Sequence, residues 1–289
     1  MNILQKILGK YYQNDYIRVI AELIFIVIPI AFTIRTFIFG LYQVPSGSME
    51  TTLLVGERFF ADKLSYWFTK PKRGDIIAFN DPKYPYSNNQ IVKLWQKYFS
   101  WNVSNWTKRV IAIPGDHIKG TIENGTPVIY LNGKKLDESE YVNKYPLIAT
   151  SVNPYYLNGE LIKFHFKSYD PNLPYDKQPF YNIDKENIIL DVITKKPIIR
   201  WPYTPNEGGS DIFEYKLGPN EYFVRGDNRK NSSDSSCWGL LNGELIHGKI
   251  VFRIWSMDTD EPWLLIDLIK NPIKFWKKVR WSRCLNLIK

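Results

Sequence analysis

Residues 17–39, IRVIAELIFIVIPIAFTIRTFIF, constrain this chain more than any other stretch. At ~1.5 Å per residue they make about 34 Å of helix, enough to cross a hydrocarbon core about 30 Å thick. Only Arg18, Glu22 and Arg35 interrupt the run. The two arginines lie near its ends, where long side chains reach the headgroups. A cleavable targeting segment would carry a small-x-small site after the apolar run. Gly40-Leu41-Tyr42-Gln43-Val44 offers none. A buried core helix is the other reading of such a run, but the length and the arginines at its ends favour an uncleaved anchor. Lys6, Lys10 and Arg18 precede the span against Asp15, while Arg35 stands alone beyond it. The positive-inside bias then predicts a cytoplasmic N-terminus and a single pass through the cell's inner (plasma) membrane, with everything after about residue 40 on the outer side. No later run is comparable, since Trp263-Leu264-Leu265-Ile266 is far too short.

A net charge of +9 suits either nucleic acid or an anionic membrane surface. No helix-turn-helix signal, zinc spacing or phosphate loop supports the first, so no nucleic-acid partner is expected. Aromatics make up 16% of the chain, which fits extended strands and membrane-interface anchoring together. Two cysteines, Cys237 and Cys284, allow at most one bridge and are no disulfide framework.

Beyond the anchor the pattern turns to strands. Arg73–Pro82, Thr107–Asp116, Glu221–Asn228 and Ile246–Trp255 are short apolar runs bounded by Gly, Pro, Asn or Asp, and Val128–Lys134 runs into an Asn-Gly hairpin turn. A mainly β fold is predicted, an antiparallel β-sheet domain preceded by one transmembrane helix. The expected layout is a cytoplasmic N-terminus (1–16), the anchor (17–39), a β core (40–118 and 216–269), an inserted β-rich subdomain (119–215) and a C-terminal segment (270–289). That last segment mixes Lys270, Lys274, Lys277, Lys278, Arg280 and Arg283 with Phe275, Trp276 and Trp281. It reads either as a helix on anionic lipid or as a solvated basic tail.

Of the three histidines, His117, His165 and His247, none falls in a metal-ligand spacing or near a nucleophile elbow. Lys108 is a better base. It starts an apolar strand in which Val110 and Ala112 share its face. Burial there would favour the neutral amine, which can take a hydroxyl proton. Immediately after the anchor comes VPSGSMETTLL (44–54), two serines and a glycine followed at once by an apolar Met-x-x-x-Leu-Leu run.

Four blocks, in order, resemble the bacterial type I signal peptidases, membrane-anchored Ser/Lys endoproteases. They are Ile34–Phe39 running into Pro45-Ser46-Gly47-Ser48-Met49, then Lys72-Arg73-Gly74-Asp75-Ile76, then Lys108–Asp116, and last Gly226–Ser235 continuing to Trp238-Gly239. The resemblance covers both ends of the chain and leaves the middle unmatched. It implies Ser48 as nucleophile and Lys108 as general base. It also implies Ser46 as the side-chain donor of an oxyanion hole completed by the Ser48 amide, and Ser232 as the hydroxyl that orients the amine. Asp227 and Asp234 are implied as supporting acids. The reaction implied is removal of N-terminal signal peptides, with small residues before the cut, from exported preproteins at the bilayer surface, without cofactor or metal, by a monomer. An inactive membrane-anchored binding module of the same fold is the alternative, and it would be favoured by loss of Ser48 or Lys108. A self-cleaving repressor would need a DNA-binding N-terminus in place of the span.

The chain departs from the family pattern at three positions. Thr51 stands where proline is usual, Ser236 where arginine usually partners Asp234, and Lys230 where an acid is common. Arg229 is the expected substitute partner for Asp234. Finally, Trp95, Tyr98, Phe99 and Trp101, just before Lys108, read either as a patch docking the domain on the outer leaflet or as a cover over the core.

Overall fold

In the structure, a computed structural model, the described residues are 9, 13–50, 52–100, 102–123, 126–142, 211–229, 232–258, 264–270 and 272–288, with four three-residue strands between 155 and 199. Thr51, Trp101, His165 and Lys230 lie outside them.

Helix α1 (Asp15–Ile38) is the one described helix long and apolar enough to cross a membrane. Asn14 caps its start, accepting from the Tyr16 and Ile17 amides. A widened π turn (Leu23–Val27) lies directly before Pro29, whose ring removes one amide donor from the ladder. At the far end Lys63 Nζ donates to the Arg35 and Thr36 carbonyls at 3.1 Å each, closing off orphan acceptors.

Then follow β1 (Phe39–Gln43), β2 (Arg58–Asp62), the single turn α2 (Ser65–Phe68), β3 (Ile76–Asn80), α3 (Gln90–Phe99), β4 (Asn105–Ala112), β5 (His117–Glu123), β6 (Thr126–Leu131) and β7 (Lys134–Lys135). The isolated strands are β8 (Tyr155–Leu157), β9 (Glu160–Ile162), β10 (Ile188–Leu190) and β11 (Pro197–Ile199). After them come β12 (Phe213–Lys216), β13 (Glu221–Arg225), α4 (Ser235–Trp238), β14 (Leu241–Asn242), β15 (Ile246–Trp255), α5 (Leu264–Lys270), α6 (Pro272–Lys277) and β16 (Asn286–Leu287).

The main sheet runs β1-β2-β15-β3-β4-β13-β14, with β16 also on β15, and every pairing is antiparallel. A second sheet runs β12-β5-β6-β7, and Asn132 and Gly133, both at positive φ, make its β6–β7 turn. The fold is thus mainly antiparallel β behind one apolar helix. Ile111, Ala112, Phe223 and Leu217 pack against Ile118, Ile129 and Leu131, joining the two sheets in one core.

β1 is the sheet's edge, and the segment after it is no linker. Val44, Met49 and Leu53 are buried among Phe59, Ala61, Ile76, Ala78 and Ile250. The apolar run after the serines therefore anchors the serine loop in the core. The C-terminal segment also turns inward. Arg280 is buried, donating to the Val55 and Met257 carbonyls at 3.0 and 3.2 Å and to Asp258 at 2.8 Å. Arg283 reaches Glu57 at 2.6 Å. These two arginines are tied into the protein, while Trp276 and Trp281 of the same segment are exposed.

Candidate active site

Three segments converge on Ser48. It sits in a short 3-10 turn (Gly47–Met49) entered from Ser46 in extended conformation. Apolar anchors on both sides hold the turn, and two backbone contacts fix its height. Asn228 Nδ2 donates to the Gly47 carbonyl at 3.0 Å, and the Asn228 amide donates to the Ser48 carbonyl at 3.1 Å.

Lys108 lies on β4, opposite Ile77 of β3, and both residues are buried. Its Nζ donates to Ser48 Oγ at 2.8 Å. Burial pushes the amine down to about 8, against the pull of the Asp234 and Asp227 carboxylates and of Cys237. Such an amine has accessible neutral and charged forms near neutral pH. When Nζ is neutral, the same contact lets the hydroxyl donate to its lone pair.

The loop after β13 supplies the third wall. Asp227, fully buried, makes a bidentate pair with Arg109, Oδ1 to Nε at 2.9 Å and Oδ2 to Nη2 at 2.8 Å, and accepts from Thr52 Oγ1 at 2.5 Å. Arg109 also donates to the Gly74 carbonyl at 2.8 Å and lies under the Tyr141 ring, 4.4 Å from its centroid. Asp234 accepts from the Gly226 amide (2.9 Å), the Ser236 amide (3.0 Å) and Ser236 Oγ (2.8 Å), which caps α4 and closes the loop.

Asp234 therefore keeps a network without arginine at 236, though not the one expected. Its cation is Arg225, Nε to Oδ1 at 3.7 Å. Arg229 instead forms a bidentate pair with Glu138, at 2.7 and 2.5 Å, and donates to the Gly226 carbonyl at 3.0 Å. Ser232 Oγ is buried beside Ser48 and has no hydrogen-bond partner among the described residues. A Cβ on Gly226 would overlap both that hydroxyl and the Ser48 carbonyl, so the close approach of the two loops requires glycine there. The Ser46 side chain is exposed and caps nothing in the turn.

Neither described histidine joins this cluster. His117 pairs with Glu214 at 2.9 Å. His247 sits between Tyr42 and Asn105, held neutral by burial at about 3. Cys237 and Cys284 are not joined in a disulfide.

Sequence reasoning missed the ring that braces the serine loop. Glu57, fully buried, accepts from the Leu54 amide (3.0 Å), Arg253 Nε (2.8 Å), Ser256 Oγ (2.8 Å) and Arg283 Nε (2.6 Å). Arg253 and Arg283 both donate onward to the Thr52 carbonyl, at 2.6 and 3.1 Å. Glu50, two residues past Ser48, is buried with Oε2 unpartnered among the described residues, and burial raises its carboxyl to about 8. An acid inside an apolar loop was a visible signal for Glu50 and Glu57. Their distant cations were not visible.

A profile of the family described as signal peptidase, peptidase S26, matches residues 17–255. The chain is 31% identical over 252 residues to signal peptidase I of Aquifex aeolicus (strain VF5), covering 82% of this chain and 83% of that one. Signal peptidase I of Buchnera aphidicola subsp. Schizaphis graminum (strain Sg) is 30% identical over 244 residues, 78% of this chain and 70% of the relative. A solved signal peptidase I from Enterococcus faecalis V583 covers 63% of this chain and 97% of that one at 20% identity, with a TM-score of 0.29, too loose a likeness to carry an argument.

Proposed function

Because this chain belongs to the signal peptidase family, peptidase S26, and is a serine endopeptidase, we propose that it removes signal peptides from preproteins with Ser48 and Lys108 as its catalytic dyad. The observation that carries the reading is the 2.8 Å contact between a buried lysine amine and the hydroxyl of a serine on a braced turn. Neutral Lys108 takes the Ser48 proton as Oγ bonds to the scissile carbonyl carbon. The exposed Ser46 hydroxyl and the Ser48 amide receive the developing oxyanion. The Lys108 ammonium then passes its proton to the departing amine as the C–N bond breaks, leaving an acyl-serine. Water, giving a proton to the now neutral Lys108 amine, attacks the ester carbonyl. Ser48 leaves with that proton and both groups are restored. Asp227, Asp234 and Arg229 act at one remove, holding the loop that supports the Ser48 carbonyl. Ser232, whose buried hydroxyl lies against Gly226, is assigned the orienting of the Lys108 amine.

The apolar α1 supports a membrane anchor, and the charge bias before it supports a cytoplasmic N-terminus with the catalytic sheet outside. External protease acting on intact spheroplasts should then digest the domain after residue 40; full protection would reverse the orientation.

The test of the dyad is to incubate detergent-solubilised protein with a preprotein and locate the cut by mass spectrometry. Ser48→Ala and Lys108→Arg should both be inactive though folded, since arginine does not release its proton. With the amine near 8, activity should climb about tenfold from pH 6 to 7 and level off above about 8. Replacing His117, His165 and His247 together should leave that limb in place. An active Lys108→Arg enzyme would overturn the dyad.

A further inference from the structure

Helix α3 is built inside out. An amphipathic helix on a water-soluble domain buries its apolar stripe and shows its polar face to solvent. In α3 the order is reversed. Ile91, Leu94, Trp95, Tyr98 and Phe99 are all exposed, Ile91 at 78% and Trp95 at 57%, and no residue of the helix is fully buried. The side turned to the protein is polar. Lys93 and Lys97, one turn apart, both bond Glu244 at 3.1 Å, and only 9% of the Lys97 side chain is exposed. Gln96 accepts from the Ser87 amide at 2.9 Å, and Asn80 holds the Lys97 carbonyl at 3.0 Å. Two lysines and a glutamine are thus used as tethers, while the aromatic and aliphatic groups point away. That arrangement lowers the free energy only if the outside is apolar.

The outward face also continues into the membrane span. Phe99 stacks on Phe32 of α1, ring centroids 5.9 Å apart, and Tyr98 meets Phe37 at 5.9 Å. Trp67, on the turn before β3, contacts Phe37 at 6.2 Å, and Phe68 beside it is 83% exposed. Phe32 lies six residues inside the end of α1, so roughly 9 Å below it along the axis. A ring stacked at that level lies at the depth of the acyl-chain boundary, and Trp and Tyr one turn away lie at headgroup depth. We infer that α3, with Trp67 and Phe68, is an interfacial paddle inserted into the outer leaflet beside the anchor, so that the lipid bilayer covers its apolar face. The inference rests on α1 being the membrane anchor. Its consequence for catalysis is positional. α3 ends six residues before β4, the strand that carries Lys108, so docking the paddle holds the dyad close to the bilayer surface.

The test uses the full chain in vesicles of phosphatidylcholine and phosphatidylglycerol carrying a photoreactive acyl chain, with labelled residues mapped by mass spectrometry. Label should appear both within α1 and on residues 91–99. Label on α1 with none on 91–99 overturns the paddle while leaving the anchor intact. Chain-to-chain cross-links at 91–99 in place of lipid label overturn it in favour of a second copy. Absence of label from α1 removes the anchor and the paddle with it, without touching the dyad. In the double variant Leu94→Asp/Trp95→Asp, label on 91–99 should vanish, and preprotein processing in vesicles should fall about tenfold as two apolar groups are withdrawn from lipid. Hydrolysis of a short soluble peptide in detergent should not change. Equal loss in both assays would mean that the face packs against protein, and the inference would fail.

Discussion

The serine loop (44–57) and helix α3 put opposite kinds of residue on their inner sides. The loop buries Val44, Met49 and Leu53, yet it also buries two acids, and it answers Glu57 with Arg253 and Arg283. α3 keeps its apolar side chains out and anchors itself by Lys93 and Lys97 on Glu244. In both places a charge turned inward has a partner of opposite sign waiting for it. What differs is dielectric. The loop's ion pairs are removed from water, where an unpaired charge is very costly, whereas Glu244 is half exposed and its pairs are worth little each. The loop is therefore held rigidly where chemistry needs it, and the helix is held loosely, by a face that a membrane can supplement.

Removing the acid at the centre of the loop tests this most severely. Glu57→Ala leaves Arg253 and Arg283 buried without their carboxylate, and such a break costs about 3–5 kcal/mol. Urea unfolding of the solubilised protein should show that loss together with loss of peptidase activity. A loss below about 1 kcal/mol would mean the ion cluster does not brace the loop.

A smaller effect is expected at the seam between the two catalytic loops. In Gly226→Ala the new methyl would overlap Ser232 Oγ and the Ser48 carbonyl, so overpacking should cost about 1–3 kcal/mol. Activity should fall further than stability, because the displaced group carries the nucleophile. A Gly226→Ala enzyme with normal kcat would show that the loops can part without disturbing Ser48.

Glu50 lets the pH dependence of the loop be read apart from the dyad. Its folded carboxyl is raised to about 8, above the ordinary value near 4.5, so the native state holds a proton that the unfolded chain has released. Stability should accordingly fall as pH rises through the window from about 4.5 to about 8. Lys108, lowered to about 8 from 10.5, has the reverse sign, and its contribution rises with pH between those values. Glu50→Gln should flatten the acidic-side slope by up to about 1.4 kcal/mol per pH unit and leave the higher window alone. An unchanged slope would assign it to another group.

The serine and the lysine were legible as a pair through the ordered blocks that resemble signal peptidases, and the structure brings their side chains to 2.8 Å. The Asn132-Gly133 turn and the strands around 110 and 224 followed from period and turn chemistry. The braces were not legible. Glu57 and Arg283 are 226 residues apart in the chain, and nothing in either neighbourhood names the other. The replacement of one expected arginine illustrates the same limit. Sequence proximity pointed to Arg229 as the partner of Asp234, but the loop after β13 folds back so that Asp234 accepts from the Gly226 amide beside Arg225, while Arg229 pairs with Glu138. For α3 the aromatic residues stood out in the sequence, while the tethers that turn them outward did not, since Glu244 lies about 150 residues from Lys93 and Lys97 in the chain.

The smallest expected effect is the sharpest on the comparison. In detergent, Leu94→Asp/Trp95→Asp changes two side chains that are 53% and 57% exposed and leaves the Glu244 tethers in place. Substitutions on such surfaces usually shift stability by no more than about 0.5 kcal/mol each. Two new acids next to Lys93 and Lys97 add only screened interactions, which salt should erase. Urea midpoints of variant and parent should therefore coincide within about 1 kcal/mol for the pair, at low and at high salt. Set beside the several kcal/mol expected for Glu57→Ala, that near-zero value would mark the apolar face of α3 as one the folded protein does not use for its own stability. A loss approaching that of Glu57→Ala would instead make Leu94 and Trp95 structural residues of the domain, and the contrast between braced loop and tethered helix would collapse.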